Sequence, residues 1–358
     1  LEARSRGDYL FDHFRAVTTS GSSGRRGVYV YSWDEWTTLA LIASRGRLGT
    51  IGDLPRPPGS STASLFGTDE THLSRAMHVF LADPGDPIRH FPMTLPVSEL
   101  VQGLNAVQPD LLMAYPSALE LLLCEVHAGR LRISPRHIET GGELLLESTR
   151  AAVRDAWDVE IDDCWALCEG VYAYPCRFGR AMHLPDDLII IEPVDLAGRP
   201  VPAGEPAAKL YLTNLYNFTE PLIRFEVADG LTLLDESCPC GSAHRRIADL
   251  SGRSDMVFEY DRDVRVYPML FTLDFHDYRS VAEFQVRQTE QGVAIAVVTD
   301  RPEGLAKIRD RAVNTLLTAG LLDPEVTVES VQRLERLDSG KLRQFVPLAR
   351  TKQVVRGD

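Results

Sequence analysis

Apolar and polar residues change their period along this chain, and the changes divide it. Val28-Tyr29-Val30-Tyr31-Ser32 alternates aromatic and β-branched residues, which predicts a strand. Trp33 to Ser44 then takes up a helical period. Residues 53–68 are rich in Pro, Gly and Ser and read as a surface loop. Asp69 to Leu81 and Val97 to Leu104 read as helices. From Pro109 to Glu192 short apolar strands and helices alternate: Leu111 to Tyr115, a helix Ala118 to Ala128 with Ser117 as its N-cap, His137 to Thr140, Leu146 to Trp157, and Ile161 to Ala166. That alternation predicts an α/β sheet. From Leu188 to Leu234 the pattern is mostly β, with strands at Leu188 to Ile191, Lys209 to Leu212 and Leu222 to Phe225. After Gly252-Arg253-Ser254-Asp255 a separate β, β, α, β unit follows: Glu283 to Gln288, Val293 to Thr299, Glu303 to Ala319 and Val326 to Val331. The expected organisation is a large N-terminal domain over 1–254, α/β with a β-rich part, and a small α+β domain over 255–358.

Composition narrows the class. The chain has 358 residues, is 44% hydrophobic and 25% charged, and carries a net charge of −13. This is the make-up of an ordinary globular protein, not a disordered chain or a collagen. No stretch reaches the ~18 apolar residues of a membrane helix, and residues 1–15 do not read as a signal peptide. A cytoplasmic protein without a membrane partner is expected. The acidic balance argues against nucleic acid, because such domains carry basic patches; the arginines here are scattered apart from pairs such as Arg25-Arg26 and Arg245-Arg246.

Candidate chemistry begins at Thr19-Ser20-Gly21-Ser22-Ser23-Gly24. Successive backbone N–H groups in such a loop form an anion-binding nest, and the hydroxyls add donors. It is not a P-loop, since no Gly-Lys-Ser/Thr follows. A Ser/Gly run is also what a flexible linker looks like; the strand and the Arg pair behind it favour phosphate.

Four segments fall in order behind that loop: Gly141-Gly142-Glu143, Trp165-Ala166-Leu167-Cys168-Glu169-Gly170, Pro221 to Asp229 ahead of Gly252-Arg253-Ser254-Asp255, and Ser339-Gly340-Lys341. The order resembles the acyl-adenylate-forming enzymes, in their phenylacetate–CoA ligase-like branch, from about residue 16 to 348. The resemblance implies ATP-dependent activation of a carboxylic acid, expected to be aromatic, as acyl-adenylate, followed by acyl transfer to a thiol, CoA by default. A carrier protein or an amine is the alternative acceptor, and a nucleotide-binding protein without turnover is the rival from another class. A second copy of the chain is a candidate partner. By resemblance, residues 19–24 hold the ATP phosphates, Gly141 to Glu143 lie beside adenine, Glu169 helps hold Mg²⁺, Asp229 binds the ribose hydroxyls and Arg253 contacts the nucleotide. Asp255 is the hinge before a C-terminal lid, and Lys341 reaches in for adenylation. Each of Glu169, Asp229 and Lys341 has a plainer reading as a surface or turn residue. Charge builds on the phosphate oxygens during adenylation, which is why a metal and a lysine suit the site.

Six cysteines are present. Cys176, His183, Cys238 and Cys240 supply three thiolates and one imidazole, a set suited to a tetrahedral structural Zn²⁺; buried thiols without metal are the alternative. Cys124 and Cys164 are expected in the core. Trp165, Tyr172 and Tyr174 could equally line an aromatic pocket or the core. Two departures from the resembled pattern stand out. Cys168 takes the place of a hydroxyl expected to touch phosphate, and a thiol is the weaker donor. Only residues 1–18 precede the loop, where relatives have a longer region, so part of the N-terminal domain is expected to be missing.

Overall fold

A computed structural model describes residues 13–19, 27–46, 60–81, 88–93, 95–176, 178–253, 256–261, 264–266, 281–299, 302–337 and 342–348. Contacts divide the chain into two compact units: one made of Leu1–Ser254 with Glu335–Leu342, the other of Asp255–Leu334 with Arg343–Asp358. The short piece 335–342, placed in the C-terminal domain by the sequence pattern, packs with the first unit.

The first unit opens with an antiparallel hairpin of β1 (Phe14–Thr18) and β2 (Val28–Ser32), followed by α1 (Trp33–Gly46). Next come β3 (Thr62–Leu65), α2 (Leu73–Leu81), β4 (Ile88–His90), α3 (Val97–Val107), β5 (Leu111–Ala114), α4 (Pro116–His127), β6 (His137–Gly141), α5 (Glu147–Trp157) and β7 (Ile161–Leu167). Then follow β8 (Val171–Cys176), β9 (Gly179–His183), β10 (Ile189–Val194), β11 (Lys209–Asn214), β12 (Phe225–Val227), β13 (Asp229–Leu234) and β14 (Arg246–Arg253). A nine-stranded sheet runs β13-β14-β9-β8-β7-β6-β5-β3-β4. Its β4, β3, β5, β6 and β7 are parallel, and from β7 onward the pairing turns antiparallel. A separate sheet holds β10-β11-β12. The core cluster spans both, with Tyr31, Trp36, Leu39, Val171, Leu210, Leu212 and Ile247 buried together.

Four expectations are corrected. The loop expected over 53–68 contains β3, whose four residues are all buried between β4 and β5. A parallel strand covered on both faces shows no alternation, and Thr62-Ala63-Ser64-Leu65 looks polar while filling a tight interior. The strand expected at Leu222 to Phe225 begins only at Phe225, because Arg224 takes a left-handed φ of 49° and Ile223 is exposed. Ser117 is not the N-cap of α4: Tyr115 stands there in an extended conformation, Pro116 occupies the first turn, and no side chain of the cap residue bonds the helix. Asp69 to His72 also precede rather than begin α2.

The second unit contains the small ribbon β15 (Phe258–Glu259) and β16 (Arg265–Val266). Its sheet is β19-β18-β17-β20, with β17 at Val281–Gln288, β18 at Gly292–Thr299, β19 at Glu325–Ser330 and β20 at Phe345–Val346. The helix α6 (Leu305–Thr318) makes the crossover that lets β19 pair parallel to β18. It buries Ile308, Ala312 and Leu316, spaced four apart on one face.

Candidate active site

The hairpin β1-β2 brings the two ends of the Ser/Gly loop together. Thr19 N–H donates to the Gly27 carbonyl at 3.0 Å, and Gly27 N–H donates to Thr19 Oγ1 at 2.8 Å. Ser20, Gly21, Ser22, Ser23 and Gly24 lie outside the described residues. Just before the loop, the Thr18 carbonyl accepts from the Cys168 thiol at 3.6 Å, so the loop base meets the turn that carries Glu169.

That turn, Cys168–Gly170, joins β7 to β8, and each of its carbonyls is held by a different side chain. Tyr31 OH donates to the Cys168 carbonyl at 2.5 Å, Asn214 Nδ2 to the Glu169 carbonyl at 3.1 Å, and Tyr216 OH to the Gly170 carbonyl at 2.8 Å. Gly170 has φ 94°, and a Cβ there would fall 2.2 Å from Asn214 Nδ2, so the turn requires glycine. Asn214 is itself fixed, its Oδ1 accepting from the N–H groups of Tyr216 and Asn217. The Glu169 carboxylate accepts from Tyr29 OH at 2.8 Å. A carboxylate on a turn clamped this way is held in place before any ligand arrives.

A second station lies on the sheet's antiparallel side. Asp229 Oδ2 accepts from Trp165 Nε1 at 2.7 Å, and in the β13-β14 ladder Asp229 stands directly opposite Arg253. The two proposed nucleotide contacts are therefore neighbours across one ladder. Arg224, five residues before Asp229, pairs with Glu192 at 3.2 Å and stacks on Tyr211.

The third station is Glu143. Its Oε2 accepts from the Ser117 amide in the first turn of α4 at 3.0 Å, and its Oε1 from the Leu342 amide at 2.9 Å. It thus takes the capping place that Ser117 was expected to fill, where a carboxylate also suits the positive end of the helix. Gly141 packs its Cα against Cys164, where a Cβ would come within 2.8 Å of the sulfur. Lys341, one residue before Leu342, lies outside the described residues together with Ser339, Gly340 and Asp255.

The cysteine set converges as the sequence suggested. The ligand atoms of Cys176, His183, Cys238 and Cys240 all lie within 4.8 Å of one another. Cys176 Sγ is 3.4 Å from Cys238 Sγ, and Cys240 Sγ is 3.3 Å from His183 Nε2. None of the six cysteines is in a disulfide. A tetrahedral zinc with bonds of about 2.3 Å to sulfur has edges of roughly 3.8 Å, so the separations fit a metal far better than a 2.05 Å bond. His183 Nδ1 faces the His244 carbonyl at 3.1 Å, which places its proton there and leaves the Nε2 lone pair toward Cys240. Gly241, at φ 84°, closes the Cys-Pro-Cys-Gly turn, its N–H donating to the Cys238 carbonyl. The strand ends of β8 and β9 and the loop between β13 and β14 supply the four residues.

Cys164 is buried and Cys124 half-buried. Trp165 is in the core, Tyr172 OH reaches Glu139 at 3.3 Å, and Tyr174 lies against the His183 ring. Sequence reading missed Tyr29, Tyr31, Asn214 and Tyr216. The signal for the first two was present: alternation in β2 puts positions 29 and 31 on one face, directly after the loop.

No protein-family model matches the chain. It is 25% identical to a phenylacetate–coenzyme A ligase of Thermus thermophilus, over 93% of this chain and 80% of that protein. A 2-hydroxyisobutyryl-CoA ligase in the postadenylation state superposes with TM-score 0.70 at 20% identity, over 95% of this chain and 74% of that one. An anthranilate CoA ligase bound to anthranoyl-AMP superposes with TM-score 0.64 at 16% identity, over 92% and 65%. These two likenesses are of fold. The curated relative and the shared fold accord with the resemblance of the ordered motifs to the phenylacetate–CoA ligase-like branch of the acyl-adenylate-forming enzymes.

Proposed function

We propose that the chain uses ATP to activate a carboxylic acid as an acyl-adenylate and then passes the acyl group to the thiol of CoA. The observation that carries this reading is the junction of the Ser/Gly loop with the clamped Glu169 turn, where Thr18 meets Cys168 and Tyr29 meets Glu169. Attack of a carboxylate on the α-phosphate concentrates negative charge, so phosphate donors and an anchored carboxylate belong side by side. Magnesium held at Glu169 would supply positive charge to the phosphate oxygens. The loop over 19–24 positions the phosphates, Asp229 with Arg253 beside it holds the ribose end, and Lys341 adds a second positive charge as the α-phosphate is attacked. Gly141 to Glu143 border the adenine. The second unit acts as the lid, turning about Asp255 between the half-reactions.

An aromatic acid is the reading favoured by the names of two of the relatives, the phenylacetate and anthranilate ligases. Zinc at Cys176, His183, Cys238 and Cys240 is structural in this proposal, since all four tetrahedral positions are taken by protein. Unlinked thiols in a chain of this kind suit a reducing compartment such as the cytoplasm.

One observation favours a second reading. Cys168 stands where the resemblance expects a hydroxyl, and its thiol faces the Thr18 carbonyl. Nucleotide binding without turnover would follow if that hydroxyl were indispensable. Pyrophosphate release with ATP and a panel of aromatic and short aliphatic acids, followed by mass detection of the CoA thioester, separates the two. ATP binding with no pyrophosphate from any acid would favour the second reading.

A further inference from the structure

We propose that Tyr29 is a positioning residue for the divalent cation: its hydroxyl sets the Glu169 carboxylate. The inference deepens the reading of Glu169 given above and rests on it.

Tyr29 OH donates to Glu169 Oε1 at 2.8 Å. The tyrosine is itself fixed on several sides. Its backbone pairs with Val17 in the β1-β2 ladder. Its ring lies against Gly27, where a Cβ would fall 2.9 Å from the ring edge. Phe225 meets it edge-on with centroids 6.4 Å apart. The residue is buried, so its hydroxyl has little room to move.

The chemistry of the donor matters. An arginine or lysine at this place would neutralise Glu169 and compete with a cation for it. A neutral phenol orients the carboxylate and leaves its charge in place. Partners that orient metal ligands in this way typically account for about 10–100-fold in metal affinity.

The test uses the full chain, with Mn²⁺ as the probe in the presence of a non-hydrolysable ATP analogue and its binding read by electron paramagnetic resonance. Tyr29→Phe is expected to weaken Mn²⁺ binding about 10–100-fold and to raise the Mg²⁺ concentration for half-maximal pyrophosphate release by a similar factor. Binding of the analogue alone, in chelator, is expected to be unchanged. Glu169→Gln is the control for the reading beneath. If Glu169→Gln abolishes Mn²⁺ binding while Tyr29→Phe stays within twofold of wild type, the proposal is overturned and the reading of Glu169 stands. If Glu169→Gln also binds like wild type, both fall. A melting scan without ligands separates a packing defect: lower stability with unchanged Mn²⁺ affinity would count against the proposal.

Discussion

At the scale of single residues, two positions yield sharp tests. Asp163 is the first. Its side chain is only 11% exposed, Thr140 donates to it at 2.8 Å, and Arg150 stands 3.7 Å away. Burial still wins and pushes its pKa up to about 6. A carboxyl whose folded-state pKa exceeds its unfolded value favours folding only when protonated, so its contribution is lost as pH rises from about 4 to about 6. Asp163→Asn, which can still accept from Thr140, is therefore expected to stabilise the chain by about 1–3 kcal/mol at pH 7 and by little near pH 4. Urea unfolding at the two pH values measures it; an equal effect at both would contradict the burial argument. Lys341 is the second. Lys341→Ala is expected to slow acyl-adenylate formation by about 10²–10³-fold, the usual worth of a well-placed charge contact. Thioester formation from a supplied acyl-adenylate should persist. Equal loss in both half-reactions would point to folding instead.

At the level of elements, the turn between β7 and β8 does the most positioning. Three carbonyls in a row are held by Tyr31, Asn214 and Tyr216. Gly170→Ala forces an L-residue into φ 94° and drives a methyl into Asn214. A cost of about 2–4 kcal/mol is expected, combining left-handed strain with the displaced amide. The melting temperature should fall by several degrees, and the adenylation rate should fall with it even well below the melt, because Glu169 rides on the same turn. A variant with normal activity at low temperature would show that the clamp serves stability alone. Glu143 works similarly between α4 and the segment 335–342, accepting one N–H from each.

For the whole molecule, the cysteine cluster ties together pieces far apart in sequence. It joins the ends of β8 and β9, neighbours within the nine-stranded sheet, to the loop ahead of β14. Metal bound only in the folded state adds its binding free energy to folding. Protein purified without added metal should contain close to one zinc per chain, and Cys238→Ser should lose it and melt at lower temperature. Pyrophosphate release well below that melt should survive, since no ligand position is open to substrate. Elemental analysis showing no zinc, with all the thiols titrating freely in the native state, would remove the site.

Periodicity by itself determined most of the helices and the central strands, because an amphipathic helix such as α6 or a strand such as β18 must show its buried face in its own sequence. The order of the motifs is also legible in the sequence, as is a Cys/His set whose ligand types suit a tetrahedral metal. Tertiary structure alone decided what lacks a local signature. Thr62 to Leu65 form a buried strand because β4 and β5 flank them, which no local polarity reveals. Ser117 yields the cap of α4 to Glu143, a residue 26 positions away. Arg224 turns to Glu192, and Trp165, 64 residues upstream, takes the Asp229 oxygen. The carboxylate of Glu169 was legible as a candidate, but its aim was not. That aim comes from Tyr29, and the carbonyls of its turn are held by Tyr31, Asn214 and Tyr216. Hydrogen bonds over such separations depend on where the sheets bring the chain, and spacing along the sequence does not encode them.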